Sequence, residues 1–380
     1  MKDNRIRLGI IGCGLMGREA ASAVARWCHL TDVEFAPEIV AVCDARRENM
    51  EWFTKHFPTV KHTCTDYRRL VENREVDAVY CAVPHNLQRE IYVAAVEAGK
   101  HLLGEKPFGI DREANAAILA AARAHPEAIV RSSSEFPFFP AVQRIAGALR
   151  EERFGRIIEV ECGFLHSSDM DPGKPLNWKR IKATNGEYGV MGDLGLHVFH
   201  LPLRAGWIPR NVRAILSDIV TARPDATGKL TACDTWDNAT LLVECEAQGH
   251  AFPLTARMQR IAPGETNTWY LAIKGTRFSA RFSTRRPKTL ETLSYEPGGA
   301  QRWESEDIGY ESLYRTVTGR IFEFGFSDAV QQMLAAFFEE AVKGAGKVAF
   351  SCATPEETRI SHEVFTAALR SHESKQVVAV

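Results

Sequence analysis

Along the first third of the chain, short apolar runs alternate with longer stretches whose apolar residues recur with a helical period. Short continuous apolar runs fit strands buried on both faces, and the helical recurrence fits helices that bury one side. The pattern predicts strands over residues 7–11, 38–44, 78–83, 101–104 and 129–132. Between them it predicts helices over 16–27, 47–57, 88–98 and 112–124, with Gly99 at a helix C-terminus. Strands that alternate with helices in this way form a parallel sheet covered on both faces.

The middle of the chain changes period. Residues 156–164, 211–219, 238–245, 252–259, 269–273 and 277–282 carry polar residues at alternate positions, with few helices between the later ones. Such a succession predicts an antiparallel sheet. Residues 284–310 are polar and rich in Pro, Gly and charge, and are expected to form a loop. Helices return over 328–342 and 355–373. The second opens with Thr354-Pro355-Glu356-Glu357, a capping box with proline at the first helical position. The expected fold class is therefore α/β, with an N-terminal doubly wound parallel sheet (1–134). A C-terminal α+β domain with a large, mainly antiparallel sheet (135–380) follows it.

Charge alters this picture little. Forty-seven Lys and Arg balance 48 Asp and Glu over 380 residues, so no net field favours nucleic acid or anionic lipid. Nine cysteines include no Cys-x-x-Cys pair, which argues against a structural zinc site and for a reducing compartment. Lys2, Arg5 and Arg7 precede an apolar stretch, but Gly9, Gly12, Gly14 and Gly17 break it too early for a signal peptide. No long apolar run fits a transmembrane helix. A cytoplasmic protein without nucleic-acid or membrane partners is expected.

The chemistry begins at Gly12-Cys13-Gly14-Leu15-Met16-Gly17, between the first predicted strand and helix. Glycines at this spacing let the backbone turn tightly and approach a pyrophosphate, which then meets the amide-rich helix N-terminus. The motif alone is weak; its place at the start of a βαβ pattern makes it the fingerprint of a Rossmann dinucleotide site. Asp44 ends the second strand, where a carboxylate accepts from the adenosine ribose hydroxyls and disfavours a 2′-phosphate. NAD is the expected cofactor. Arg46 and Arg47 follow directly and leave NADP open, since each is either a phosphate ligand or a solvated helix start.

Three further segments resemble the glucose–fructose oxidoreductase/inositol dehydrogenase family (Gfo/Idh/MocA). They are the Ala98-Gly99-Lys100-His101 to Glu105-Lys106-Pro107 stretch, Val83-Pro84-His85-Asn86, and Asp193-Leu194-Gly195-Leu196-His197. The resemblance is dense over residues 6–125 and sparser afterwards. It departs at Gln88, where the family often has His, and at Pro137, where a basic residue often precedes Phe-x-Pro. It implies a dinucleotide lined by Gly12, Gly14, Leu15, Met16, Gly17, Asp44, Ala82, Val83, Pro84, Asn86, Glu105 and Lys106. It also implies a catalytic set of Lys106, Asp193 and His197, and association into dimers or tetramers.

The residue chemistry is compatible. Lys106 ends a strand at the edge where doubly wound sheets bind ligands, and an ammonium there stabilises a developing alkoxide. Asp193 and His197, four apart, share a helix face, and histidine is a base of near-neutral pKa. His200 extends the spacing toward a metal site, but no convergent third ligand is evident, so no metal is expected. Trp178 either packs in the core or stacks on the apolar face of a sugar. The expected activity is hydride transfer between a nicotinamide and a hydroxyl carbon of a sugar, sugar derivative or cyclitol. Two rivals are a glycosidase using transient oxidation at a retained NAD and a non-catalytic NAD-binding regulator.

Overall fold

The computed structural model describes residues 5–319, 321–322 and 324–380. Lys2, weighed above as part of a leader, lies outside the described residues. The chain forms two compact units. One comprises Met1–Gly109, Glu113–Phe138 and Ser312–Thr358; the other comprises Ile110–Arg112, Phe139–Glu311 and Arg359–Val380.

In the first unit the predicted strands appear as β1 (Arg5–Ile11), β2 (Ala36–Cys43), β4 (Ala78–Cys81), β5 (His101–Gly104) and β6 (Val130–Ser132). An additional edge strand, β3 (His62–Cys64), joins them in the order β3-β2-β1-β4-β5-β6, with every pairing parallel. The doubly wound expectation holds. Helices α1 (Leu15–Ala25), α2 (Arg47–His56), α4 (His85–Glu97) and α5 (Arg112–Ala124) fill the predicted connections. The short α3 (Tyr67–Val71), capped by the Asp66 side chain on the Arg68 amide, was not predicted. Strand β3 was missed because its three residues are largely exposed and carry no apolar run.

Val40, Val79, Cys81, Tyr92, Leu102, Ile118 and Val130 belong to one buried cluster of this unit. Helix α9 (Phe326–Lys343) packs against α1, and Gln331 Nε2 donates to the Ala23 and Arg26 carbonyls at 3.1 and 2.8 Å. Trp27 meets Phe338 edge-on, with ring centroids 5.7 Å apart. A late segment of the chain therefore completes a unit that the sequence pattern located in its first third.

The second unit is built on nine strands, among which β7 (Ile157–Leu165) is central. On one side follow β12 (His250–Gln259), β11 (Asn238–Ala247), β8 (Ile208–Ser217) and β17 (Val378–Ala379). On the other follow β13 (Thr268–Gly275), β14 (Phe278–Ser283), β15 (Thr289–Ser294) and β16 (Glu304–Asp307). All neighbours pair antiparallel except β12 with β7, so the sheet is mixed and mostly antiparallel. A separate hairpin joins β9 (Ala222–Pro224) to β10 (Leu230–Ala232).

The loop expected over 284–310 is corrected: it holds β15 and β16. Every residue of β16 is exposed, and its charged composition suits a sheet edge that must resist further pairing. That composition is what concealed it. Helix α6 (Pro140–Arg150), also unassigned from sequence, lies against β14. The four-residue α7 (Lys182–Asn185) leads into α8 (Val190–Arg204), which packs on β7, β11 and β12. Every residue of α8 except Arg204 is buried. The final helix is α10 (Pro355–Ser374), opened by the predicted capping box, with Thr354 and Glu357 exchanging hydrogen bonds. Among the described residues, no helix is long and apolar enough to cross a membrane.

Candidate active site

The N-terminal unit places its candidate residues along the carboxyl edge of one parallel sheet, where open α/β sheets bind ligands. Gly12 has φ +91°, and a Cβ there would lie 2.2 Å from the Ala82 carbonyl oxygen, so packing alone demands glycine. Gly14 differs. Its φ is −78°, and an added Cβ would meet nothing within 4 Å. Neither backbone conformation nor protein packing requires glycine at 14, which leaves close approach by a ligand as the physical reason. Gly14 also caps α1 without a side chain, and Leu15 in the first turn is 83% exposed, so the helix amides face outward.

Asp44 follows β2 and is tied locally. Its Oδ2 accepts from the Cys13 amide at 2.9 Å, while Oδ1 accepts from the Arg46 amide at 2.9 Å and Asn49 Nδ2 at 3.0 Å. A carboxylate has about four lone-pair sites, so ribose hydroxyls can still be accepted. Arg46 and Arg47 are exposed. Asn49 was not foreseen; its only signal was its place one helical turn past the carboxylate it serves.

After β4, the Ala82 amide donates to the Ile11 carbonyl at 2.8 Å, then Val83 and Pro84 lead into α4. Asn86 is exposed in its first turn, beside a buried His85. Gln88 has a structural task. Its Nε2 donates to the carbonyls of Glu105 and Lys106 at 3.1 and 3.0 Å, and its Oε1 accepts from the Gly109 amide at 2.8 Å. Tyr92 adds a bond to the Glu105 carbonyl at 2.8 Å. The main chain that carries Lys106 is thus fixed by neutral donors. The Glu105 carboxylate accepts from Tyr80 Oη at 2.7 Å and Ser133 Oγ at 2.5 Å. Burial, then the charge of Glu105, pushes the Glu135 carboxyl up to about 8, while Lys106 pulls the other way.

The second unit holds Asp193 and His197 one turn apart on α8. The Asp193 carboxylate is 1% exposed and accepts from Lys179 Nζ at 3.0 and 3.1 Å and from Arg260 Nε at 3.3 Å. Arg260, equally buried, also donates to the carbonyls of Lys179 and Gly189 at 3.1 and 3.3 Å. His197 packs edge-on against Phe164, with ring centroids 5.6 Å apart, and its carbonyl accepts from Trp269 Nε1 at 2.8 Å. His166 lies in the same field. Burial pushes its imidazole down to about 4, with Asp193 opposing and the two cations reinforcing that shift.

The sequence did not reveal Lys179 or Arg260 as partners of Asp193. Lys179 follows the singled-out Trp178, which is half-buried with the ammonium 5.8 Å from its ring centroid. Arg260 stands just beyond β12, in no motif. His200 is fully buried, with its ring 3.3 Å from Arg204. Among the described residues, no three His, Cys, Asp or Glu side chains are placed to hold a metal.

Comparison with known proteins bears on the family and the fold. Residues 6–131 match the model of the Gfo/Idh/MocA oxidoreductases, described as an oxidoreductase family with an NAD-binding Rossmann fold. The levoglucosan dehydrogenase of Pseudarthrobacter phenanthrenivorans is 27% identical over 60% of this chain and 58% of its own. The dTDP-3,4-didehydro-2,6-dideoxy-alpha-D-glucose 3-reductase of Actinomadura kijaniata is 30% identical over 53% of this chain and 55% of its own. The matches thus span less than two thirds of either relative. A levoglucosan dehydrogenase solved with NADH and L-sorbose shares the fold, with a TM-score of 0.87 at 23% identity over 99% of both chains.

Proposed function

We propose that the chain, whose residues 6–131 match the Gfo/Idh/MocA oxidoreductase family, is an NAD(P)-dependent dehydrogenase or reductase of a sugar, sugar derivative or cyclitol. One observation carries this reading. The Gly14 cradle, Asp44 and a backbone-pinned Lys106 share the carboxyl edge of a single parallel sheet.

When bound, the nicotinamide supplies the hydride acceptor or donor. The chain supplies position and proton chemistry. The α1 amides take the pyrophosphate, and Asp44 accepts from the adenosine ribose, favouring NAD over NADP. Leu15, Met16, Ala82, Val83, Pro84, Asn86 and Glu105 complete the dinucleotide contacts. Lys106 donates to the reacting hydroxyl oxygen and stabilises its developing negative charge. His197 takes the hydroxyl proton on an imidazole nitrogen, assisted by the anionic field of Asp193. Trp178 offers its ring to the apolar face of the sugar.

Three exposed apolar residues on neighbouring strands, Ile208, Ile215 and Leu242, support association of copies through the open sheet face. Nine free thiols support a reducing, cytoplasmic location.

The test is a panel of sugars and cyclitols assayed with NAD and with NADP. Reduced cofactor should accumulate with at least one; glycosidic cleavage without it would instead assign the chain to the glycosidases. Lys106→Ala should lower turnover by roughly 10²-fold or more, with NADH affinity nearly unchanged. Unaltered turnover removes Lys106 from the chemistry.

A further inference from the structure

Beside Asp44 lies a pair of thiols for which the proposed reaction has no use. Cys43 ends β2, Cys64 ends β3, and the two are register partners in parallel strands. Register partners project to the same face, with Cα atoms about 4.8 Å apart, inside the range a disulfide spans. Cys64 Sγ lies 4.0 Å from the Val42 carbonyl, so the thiol sits against β2. Cys64 is partly exposed, whereas Cys43 is buried.

We propose that Cys43 and Cys64 are a hydroperoxide-sensitive thiol pair whose disulfide disables the dinucleotide site. The roles divide by environment. The adjacent Cys43 thiol, with Arg69 and His62, holds the Cys64 thiol below its usual range against burial and Asp66, while the proximity of Cys64 and burial push Cys43 up. The partly exposed thiolate of Cys64 attacks the peroxide and takes its terminal hydroxyl as a sulfenic acid, and the alkoxide picks up a proton from water and leaves as alcohol. The Cys43 sulfur then attacks that sulfenic sulfur; the S–S bond forms, and the departing hydroxide takes the Cys43 proton and leaves as water. One hydroperoxide is reduced and two thiols are oxidised.

Closure has a path to Asp44. Strand β3 is a three-residue edge strand, so it can yield. The Cβ atoms must close to about 3.8 Å. The Asp44 amide donates to the Cys64 carbonyl at 3.3 Å, so any shift of the strand end reaches the residue whose carboxylate also holds the Cys13 amide at 2.9 Å. This consequence rests on the proposed role of Asp44 at the ribose.

The experiment exposes the reduced full-length chain to hydrogen peroxide, maps its peptides without reduction and titrates NADH. The expected result is a Cys43–Cys64 cross-link, at least roughly tenfold weaker NADH binding and recovery with dithiothreitol. Saturating NADH should slow the cross-link. Cys64→Ser should retain reduced-state NADH affinity and lose its peroxide sensitivity. Cys43→Ser should stop at a Cys64 sulfenic acid that dimedone traps. A disulfide through Cys13, or oxidation that spares Cys64, overturns the proposal, and so does a cross-link that leaves NADH affinity intact. Asp44→Ala in the reduced protein tests the ribose reading separately: unchanged NADH affinity there fails that reading, whether or not the cross-link forms.

Discussion

Glu135 in the N-terminal unit and Asp193 in the other are both buried carboxyls, at 4% and 1% exposure, in surroundings of opposite character. Glu135 has the carboxylate of Glu105 as its strongest charged influence, and Lys106 compensates only partly. Asp193 has Lys179 and Arg260 directly on its oxygens. The first arrangement favours a neutral carboxyl. The second keeps an anion in place without demanding anything of His197. Around Lys106 the geometry is set by neutral groups such as Gln88 and Tyr92; around Asp193 it is set by cations.

Removing one member of the buried pair is the most severe way to break this contrast. Arg260→Met removes a cation from the Asp193 carboxylate and abandons the Lys179 and Gly189 carbonyls. The expected loss in stability is about 3–5 kcal/mol, read from the midpoint of urea unfolding. A midpoint close to that of the unaltered chain would show that the ion cluster is not what holds α8.

Glu135 should give the reverse signature, through pH. Its folded-state value of about 8 lies above the ordinary 4.5, so ionisation costs more in the folded chain. The unfolded chain sheds this proton first, and stability therefore falls as pH rises through the window between the two values. The slope is about 1.4 kcal/mol per pH unit. Glu135→Gln keeps a neutral side chain and should flatten that part of the profile. Parallel profiles for the two proteins would mean that Glu135 ionises freely in the fold.

The same contrast marks what could be read from sequence. The carboxyl edge of the parallel sheet was legible because its glycines, Asp44 and Lys106 lie at turns and strand ends, where local chemistry fixes position. Lys179 and Arg260 were not. The two stand on either side of Asp193 in sequence, 14 residues before it and 67 after, and meet it only through the fold of the second unit. Strands β15 and β16 escaped for another reason: lying at and next to the sheet edge, they bury little beyond Leu290, so they carry no apolar period. Late packing of α9 with α1 likewise leaves no trace in either segment alone.

The mildest test lies within the glycine loop, where fold and ligand make different demands on neighbouring positions. Gly12→Ala places a methyl 2.2 Å from the Ala82 oxygen at φ +91°, so it should destabilise the unit itself. Gly14→Ala meets no protein atom within 4 Å, and at φ −78° an L-residue is at ease. Its stability should change by less than about 1 kcal/mol, of either sign, since alanine also stiffens the unfolded chain. NADH affinity should nevertheless fall by roughly tenfold, because the methyl occupies the space through which a phosphate approaches the α1 amides. Calorimetry with and without NADH separates the two outcomes. If Gly14→Ala binds as tightly as the unaltered chain, the open space at Gly14 is not the cradle, and the dinucleotide must meet α1 by another route.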